Sequence, residues 1–344
     1  MANLHRDIIV VGASAGGIDA ISQLVRGLPP DLDAAVLIVL HMAPTFPRVL
    51  AQRLAQIGPL PAADAVDGET IRPNRIYLCV PDRHLLVAGG KIRLSRGPKE
   101  NHSRPSVDAL FRSAAYSYGA RVIGTVLTGQ LDDGTAGLWA IKDRGGLAIV
   151  QDPAEAAYRS MPESALRHNS VDYTLKVADM GTVLRLLTRE EVAVEGEPEL
   201  EGTALQIETS IALGDSALDQ GIRKLGNPSV YTCPDCHGTM FAINEGPGIR
   251  FRCHTGHAYT ARALAEYTLP EVEKTLWMAL AQLEEREILL RELGEQDARS
   301  REQANEVSQL RLRLHALLKD PVLSQSECAV PAQPNDRTAM RAIR

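Results

Sequence analysis

Aromatic side chains are scarce in this chain: Phe, Tyr and Trp make up 4% of 344 residues, which leaves few flat surfaces on which bases could stack. Positive charge is not in excess either. Lys and Arg number 37 against 43 Asp and Glu, a formal net charge of −6, and no basic run or basic amphipathic helix stands out. A nucleic-acid partner is therefore not expected. No apolar run approaches the roughly 20 residues of a membrane span. The N-terminus also lacks the charged and long apolar regions of a signal peptide. No membrane insertion is expected, and the cytoplasm is the default location. Five cysteines are too few and too unevenly placed for a disulfide scaffold. Three of them fall between positions 233 and 253, a clustering that suggests metal binding in a reducing compartment. What is abundant is ordinary globular sequence, 44% hydrophobic and long enough for two or more domains.

The most informative segment is Asp7-Ile8-Ile9-Val10-Val11-Gly12-Ala13-Ser14-Ala15-Gly16-Gly17. Four β-branched residues read as a short buried strand, and glycines then permit a tight turn. Ile18, Ala20, Ile21, Leu24 and Val25 follow at helical spacing. Gly12 to Gly16 fits G-x-S-x-G, the turn that exposes a nucleophilic serine and aims backbone N–H groups at a developing oxyanion. A dinucleotide loop would need glycine where Ser14 stands, and the next strand ends at His41 rather than at an acidic ribose ligand. A turn that merely needs small residues fits the motif as well as a nucleophile does.

Residues 1–187 read as one α/β unit. Strand patterns recur at Ile8–Val11, Ala35–Leu40, Ile76–Val80, Leu85–Val87, Ile92–Leu94, Val122–Leu127, Ala148–Val150 and Tyr173–Val177. Helical patterns fall at 18–27, 46–56, 106–118, 135–144, 162–168 and 179–187. The alternation implies a doubly wound, mostly parallel sheet, with the short strands near 76–94 as a local hairpin insertion and reactive groups at the carboxyl ends of strands. Residues 188–230 read as an acidic linker with a short helix near 209–225, and 231–260 hold the cysteine cluster. Residues 261–318 carry two leucine stripes, a helical hairpin or coiled-coil surface with Pro270 as an early break. The tail, 319–344, is expected to be disordered. Cys79 is expected in the core.

A serine nucleophile needs a base, usually histidine, and a group to orient it. Of nine histidines, His41 stands at the carboxyl end of the strand next to the serine turn; His84, His102 and His168 are loop or helix candidates. Another strand, Val122–Leu127, runs into a glycine-rich loop in which Asp132 or Asp133 could serve as the acid or simply cap a helix.

The string Val11–Gly17, His41-Met42 with Pro44, Arg104–Phe111, Leu127-Thr128-Gly129 through Asp133-Gly134, and the stretch from Ala156 through Ala165 occur in the order found in CheB-type chemotaxis methylesterases. Residues 7–187 resemble that family's catalytic domain. The resemblance implies a serine hydrolase acting on glutamate γ-methyl esters of chemoreceptor-like signalling proteins, releasing methanol, and able to deamidate glutamine. It implies Ser14 as nucleophile, His41 as base and Asp133, directly before the glycine, as orienting acid, with no cofactor for catalysis. Ala15 and Gln130 are the oxyanion or substrate candidates; Gln130-Leu131 stand where many members have methionine and glycine. The catalytic strand begins at residue 7, so no receiver domain is expected ahead of it, and residues 1–187 are expected to fold alone with basal activity.

Cys233-Pro-Asp-Cys236 and Cys253-His-Thr-Gly-His257 form a C-x-x-C and a C-x-x-x-H knuckle. Cys233, Cys236, Cys253 and His257 are the expected ligands of a structural Zn²⁺, with His237 and His254 as competitors. The segment resembles zinc-ribbon extensions on some relatives. The expected function is a cytoplasmic protein-glutamate methylesterase whose C-terminal helices self-associate or bind a partner. The alternative is a signalling adaptor in which the esterase fold has become a scaffold.

Overall fold

The computed structural model describes residues 4–192, 202–243, 246, 248–294 and 297–319. Its strands are β1 (Leu4–His5), β2 (Ile8–Ala13), β3 (Ala35–Leu40), β4 (Ala62–Asp64), β5 (Arg75–Leu78), β6 (His84–Ala88), β7 (Lys91–Ser95), β8 (Val122–Val126), β9 (Leu147–Gln151), β10 (Tyr173–Leu175), β11 (Glu191–Val192), β12 (Gly226–Thr232), β13 (Thr239–Ile243), β14 (Arg250–Cys253) and β15 (Ala258–Thr260). The helices are α1 (Gly17–Gly27), α2 (Leu50–Ile57), α3 (Val107–Tyr118), α4 (Thr135–Asp143), α5 (Ser160–His168), α6 (Val177–Leu187), α7 (Ala204–Leu213), α8 (Ala261–Leu293) and α9 (Ala298–Leu318).

Seven strands form one sheet in the order β10-β9-β8-β2-β3-β5-β4, every pair parallel. Both faces are buried, which is why β2 and β3 read as unbroken apolar runs rather than alternating ones. The alternation reappears in what each residue touches. Ile9, Val11, Val36 and Ile38 pack with α1, α2 and α6 on one face. Val10, Leu37 and Val39 pack with α3, α4 and α5 on the other. From β2 the chain passes to β3, crosses to the edge strand β4 and comes back to fill β5 between them, then returns to lay β8, β9 and β10 on the other side. The order reverses at β2/β8, where a crevice opens at the carboxyl edge of such sheets.

The expected strands and helices of 1–187 are present, with differences at β1, β4 and β5. Arg75–Leu78 is a strand of the main sheet, and only β6 and β7 form the hairpin, turned through Gly89 and Gly90, both at positive φ. β4, three residues long and bearing no strong apolar pattern, was not foreseen. Cys79 is buried as expected. The helix expected near 209–225 lies earlier, at α7, because Thr203 caps its start and Gly214, at φ 110°, ends it.

Residues 1–263 form one compact unit. Within it β12–β15 make an antiparallel sheet beside the loop that precedes α3. Leu86 of β6, Ala109 of α3 and Ala212 of α7 share a small apolar cluster. Hydrogen bonds from Ala258 and Thr260 and a set of buried ion pairs complete the join. Glu100 pairs with Arg112 of α3 and with Arg252 of β14, the latter at 3.0 Å. Glu208 of α7 pairs with Arg252 and Arg250, both at 3.0 Å. Arg252, fully enclosed, also donates to Gly256 O at 2.8 Å.

Residues 264–344 form the second unit. Its described part is two helices, with Arg311 of α9 ion-paired to Glu287 of α8 at 2.8 Å. α8 runs through Pro270, correcting the expected break. A proline removes one N–H and frees the carbonyl four residues back; here residues 265–275 are exposed or half-exposed, so water can satisfy that carbonyl. The expected tail falls almost wholly on 320–344, and the most acidic part of the expected linker on 193–201; both lie outside the described residues. No described helix is long and apolar enough to cross a membrane.

Candidate active site and metal centre

The turns after β2, β3 and β8 lie side by side at the carboxyl edge of the sheet and carry the expected residues. Ser14 follows β2 directly. Its N–H donates to Thr128 O at 3.0 Å, and Thr128 Oγ1 donates to Ala15 O at 3.0 Å, so the turn is tied to the β8 loop on both sides of the serine. Gly129 allows this approach: a Cβ there would stand 2.0 Å from Met161 Sδ and 2.9 Å from Ser14 Cβ. The N–H groups of Ala15 and Gly16 make no hydrogen bond among the described residues. They sit at the N-terminus of α1, where free N–H groups and the helix dipole favour an anion. Gln130 is exposed on the neighbouring loop.

His41 follows β3, its N–H bound to Ala13 O at 3.0 Å. Its Nε2 donates to Asp133 Oδ2 at 2.6 Å, which leaves Nδ1 as the ring nitrogen with a free lone pair. The Ser14 hydroxyl makes no hydrogen bond among the described residues. The structure thus joins His41 to Asp133 and puts Ser14 on the next strand's turn, one strand spacing of about 4.8 Å away.

Asp133 is buried and heavily solvated by protein. Val107 N–H donates to it at 2.8 Å, Asp108 N–H at 3.1 Å, Ser106 Oγ at 3.0 Å, Gly134 N–H at 3.1 Å and Asn101 Nδ2 at 3.3 Å. Burial alone would raise its pKa, but the His41 bond and these donors outweigh that and hold it well below the usual carboxylate range. Gly12 makes the arrangement possible. A Cβ there would lie 2.2 Å from Val107 Cγ1, so only glycine lets the first turn of α3 reach over β2. Asp108 sits beside Asp133 and is pushed the other way, by burial first and by the Asp133 charge second. Its Oδ1 accepts from Gly137 N–H at 2.6 Å and from Gly134 N–H at 3.0 Å, at the start of α4.

Asp132 points elsewhere, accepting from Thr260 Oγ1 at 2.9 Å. His84 is buried between Pro98 O, at 2.9 Å, and Ser106 N–H, at 3.2 Å, and burial lowers its pKa. His168 bonds Ser164 O at 3.0 Å, and His102 lies 3.5 Å from Asp235. Sequence reasoning missed Asn101, Ser106 and Asp108 as parts of the site. Ser106 and Asp108 lie inside a segment that carries the family resemblance. Asn101 has no motif around it.

In the β12–β15 sheet, one ligand atom each from Cys233, Cys236, Cys253 and His257 lies within 4.8 Å of the others. Cys236 Sγ and Cys253 Sγ are 3.6 Å apart, as are Cys253 Sγ and His257 Nδ1. A tetrahedral ion with Zn–S bonds near 2.3 Å needs edges of about 3.8 Å between sulfurs, so the donor set and its spacing fit Zn²⁺. His237 and His254 are outside the group.

The family model described as CheB methylesterase matches residues 9–184. A protein-glutamate methylesterase/protein-glutamine glutaminase 2 of Anaeromyxobacter dehalogenans is 42% identical over 183 residues, 53% of this chain and 54% of that protein. A putative protein of the same description from Leptospira interrogans is 37% identical over 181 residues, 52% of this chain and 94% of its own length. The crystal structure of the Thermotoga maritima CheB methylesterase catalytic domain superposes with a TM-score of 0.51 at 33% identity, covering 53% of this chain and 98% of that one. The chain spans about half the length of the first curated relatives it matches. With this match over half its length, and with a parallel sheet that sets Ser14, His41 and Asp133 on adjoining turns, the chain belongs to the CheB methylesterase family.

Proposed function

We propose that this protein is a serine-type esterase that hydrolyses glutamate γ-methyl esters on chemoreceptor-like signalling proteins, with Ser14 as nucleophile, His41 as general base and Asp133 as orienting acid. The observation that carries this reading is the 2.6 Å His41–Asp133 bond beside a serine turn in which the Ala15 and Gly16 N–H groups have no partner among the described residues. Ser14 Oγ attacks the ester carbonyl carbon while its proton passes to His41 Nδ1. The oxyanion is met by the Ala15 and Gly16 N–H groups. Collapse breaks the bond to methoxide, which leaves as methanol with the proton from His41. Water, deprotonated by the same nitrogen, then releases the glutamate carboxylate and restores Ser14. A glutamine side chain would follow the same course with ammonia as leaving group. Asp133, ionised throughout, keeps the proton on Nε2 and stabilises the imidazolium.

The thiolates of Cys233, Cys236 and Cys253 and the His257 ring would hold a Zn²⁺ that supplies structural cross-linking and has no open position for substrate. The working location is the cytoplasm, where signalling helices of receptors are accessible. The exposed leucines of the second unit, including Leu289, Leu310 and Leu317, suit self-association or a partner helix. The test is methanol release from a methyl-esterified receptor fragment by the full chain. Wild type should turn over and Ser14→Ala should not; equal release by both would refute the mechanism.

A further inference from the structure

The last strand of the Cys₃His sheet is bonded to the loop that carries the acid of the proposed triad. Thr260 N–H donates to Asn101 Oδ1 at 3.0 Å, and Asn101 N–H donates to Ala258 O at 2.7 Å. Ala258 N–H in turn donates to Lys99 O at 3.2 Å. Thr260 Oγ1 reaches the carboxylate of Asp132, next in sequence to Asp133, at 2.9 Å. Asn101 is buried and at φ 49°, a left-handed conformation that asparagine tolerates better than most residues. Its Nδ2 is forked between Asp133 Oδ1 and Asp108 Oδ2, both at 3.3 Å.

An asparagine amide has one oxygen and one NH₂, and both ends are used here. The oxygen end is set by the Thr260 N–H, so the amide cannot flip without setting its own oxygen against two carboxylates. The flip state is therefore dictated by the sheet. With the NH₂ end directed inward, Asn101 supplies one of the donors that hold Asp133 against His41. His257 is three residues from Thr260 in sequence, and Arg252, next to Cys253, holds Glu100, next to Asn101, at 3.0 Å.

We propose that Asn101 is a positioning residue for Asp133, oriented by β15, so that the Cys₃His sheet completes the active site rather than merely being appended to it. The inference rests on the Ser14–His41–Asp133 reading above. Asn101 touches no reacting atom and acts through Asp133. What it contributes is a fixed carboxylate direction, and hence a fixed direction for the His41 ring.

The test uses the full-length chain and two substitutions. Asn101→Gly removes the amide and keeps the left-handed backbone free of strain. Asn101→Asp keeps the shape and the oxygen facing Thr260 but replaces the NH₂ with a second oxygen. The readouts are kcat and KM for methyl-ester hydrolysis, and the low-field proton resonance of the His41–Asp133 hydrogen bond, assigned by its loss in Asp133→Asn. Losing a donor to a buried carboxylate should lower kcat about 10- to 100-fold, with KM within about twofold of wild type. The resonance should shift or broaden in both variants. A volume-filling role predicts that Asn101→Asp recovers what Asn101→Gly loses; the proposal predicts that it does not. Unchanged kcat and an unmoved resonance in Asn101→Gly, or recovery of both in Asn101→Asp, would overturn the proposal. The resonance needs no substrate. A wild type without esterase activity but with a resonance that follows Asn101 would refute the proposed function and leave the positioning role standing.

Discussion

Replacing Glu100 by glutamine tests how the two sheets of the first unit are held together. Glu100 is buried between Arg112 and Arg252, which lie on α3 and β14. Burial alone would raise its pKa, but the two guanidinium charges outweigh burial and keep it below its ordinary value of 4.5. Glutamine has nearly the same shape and no charge. Arg112 would lose its ion-pair partner, and Arg252 would keep only Glu208. Removing one member of a buried pair costs about 3–5 kcal/mol, because the remaining charge stays desolvated. In a domain of this size each kcal/mol moves the melting temperature by about 2–4 °C. The expected drop is therefore about 6–20 °C, read by thermal or urea unfolding of the full chain. A control replaces charge on both sides: Glu100→Leu with Arg112→Met should lose less than Glu100→Gln alone, since no guanidinium is then stranded on α3. A loss below about 1 kcal/mol for Glu100→Gln would show that water reaches these guanidinium groups, and the argument from burial would fail.

Three further outcomes concern the triad, the buried carboxylates and the cysteine cluster. His41→Ala should abolish turnover, and Asp133→Asn should lower kcat about 10⁴-fold by losing the correct tautomer, while Asp132→Asn should cost far less, since Asp132 faces Thr260; steady-state kinetics on a methyl-esterified receptor fragment would reverse the acid assignment if Asp132→Asn were the more damaging. Glu100 and Glu208 both have depressed folded pKa values, so the stability they contribute is complete above the unfolded value near 4.5 and is lost as pH falls through the folded values. Unfolding free energies measured from pH 7 down to 3 should decline below about 4.5, and less steeply in Glu100→Gln; parallel curves would contradict the linkage. Elemental analysis of reduced, freshly purified protein should find one zinc per chain, and a chelator should remove hydrogen-exchange protection first from 226–260; a metal-free protein with full protection there would refute the site.

The main sheet was readable from sequence because its physics is local. A parallel strand buried on both faces reads as a near-continuous apolar run, and β2 and β3 each do. The turn residues were readable for a similar reason: only small residues fit Gly12, Gly16 and Gly129, and each absence of a side chain is visible in the letters. The Cys₃His group was readable because two short knuckles fix spacing along the chain, and Cys233, Cys236, Cys253 and His257 are the four side chains that converge. The buried arginines were not. Arg250 and Arg252 alternate with Ile249, Phe251 and Cys253 and would pass for the solvated face of a strand. They are inside because Glu100 and Glu208, 152 and 44 residues away from Arg252, are there to meet it, and pairing at such separations leaves no periodic trace.

Asn101 was illegible for a deeper version of the same reason. Its neighbours, Glu100 and His102, suggest an exposed polar loop, and nothing local distinguishes it from one. Its role depends on three groups from distant segments: Asp133 after β8, Asp108 in α3 and the Thr260 N–H of β15. The candidate triad could be found without it because serine, histidine and aspartate at strand ends are rare enough to notice. The groups that aim a triad are ordinary residues made specific only by where the fold puts them. Reading residues 231–260 as a separate module follows from treating the metal ligands as the whole content of that segment. The hydrogen bonds of Ala258 and Thr260 give its last strand a second role, and they tie the sheet that would hold zinc to the same short loop that orients Asp133.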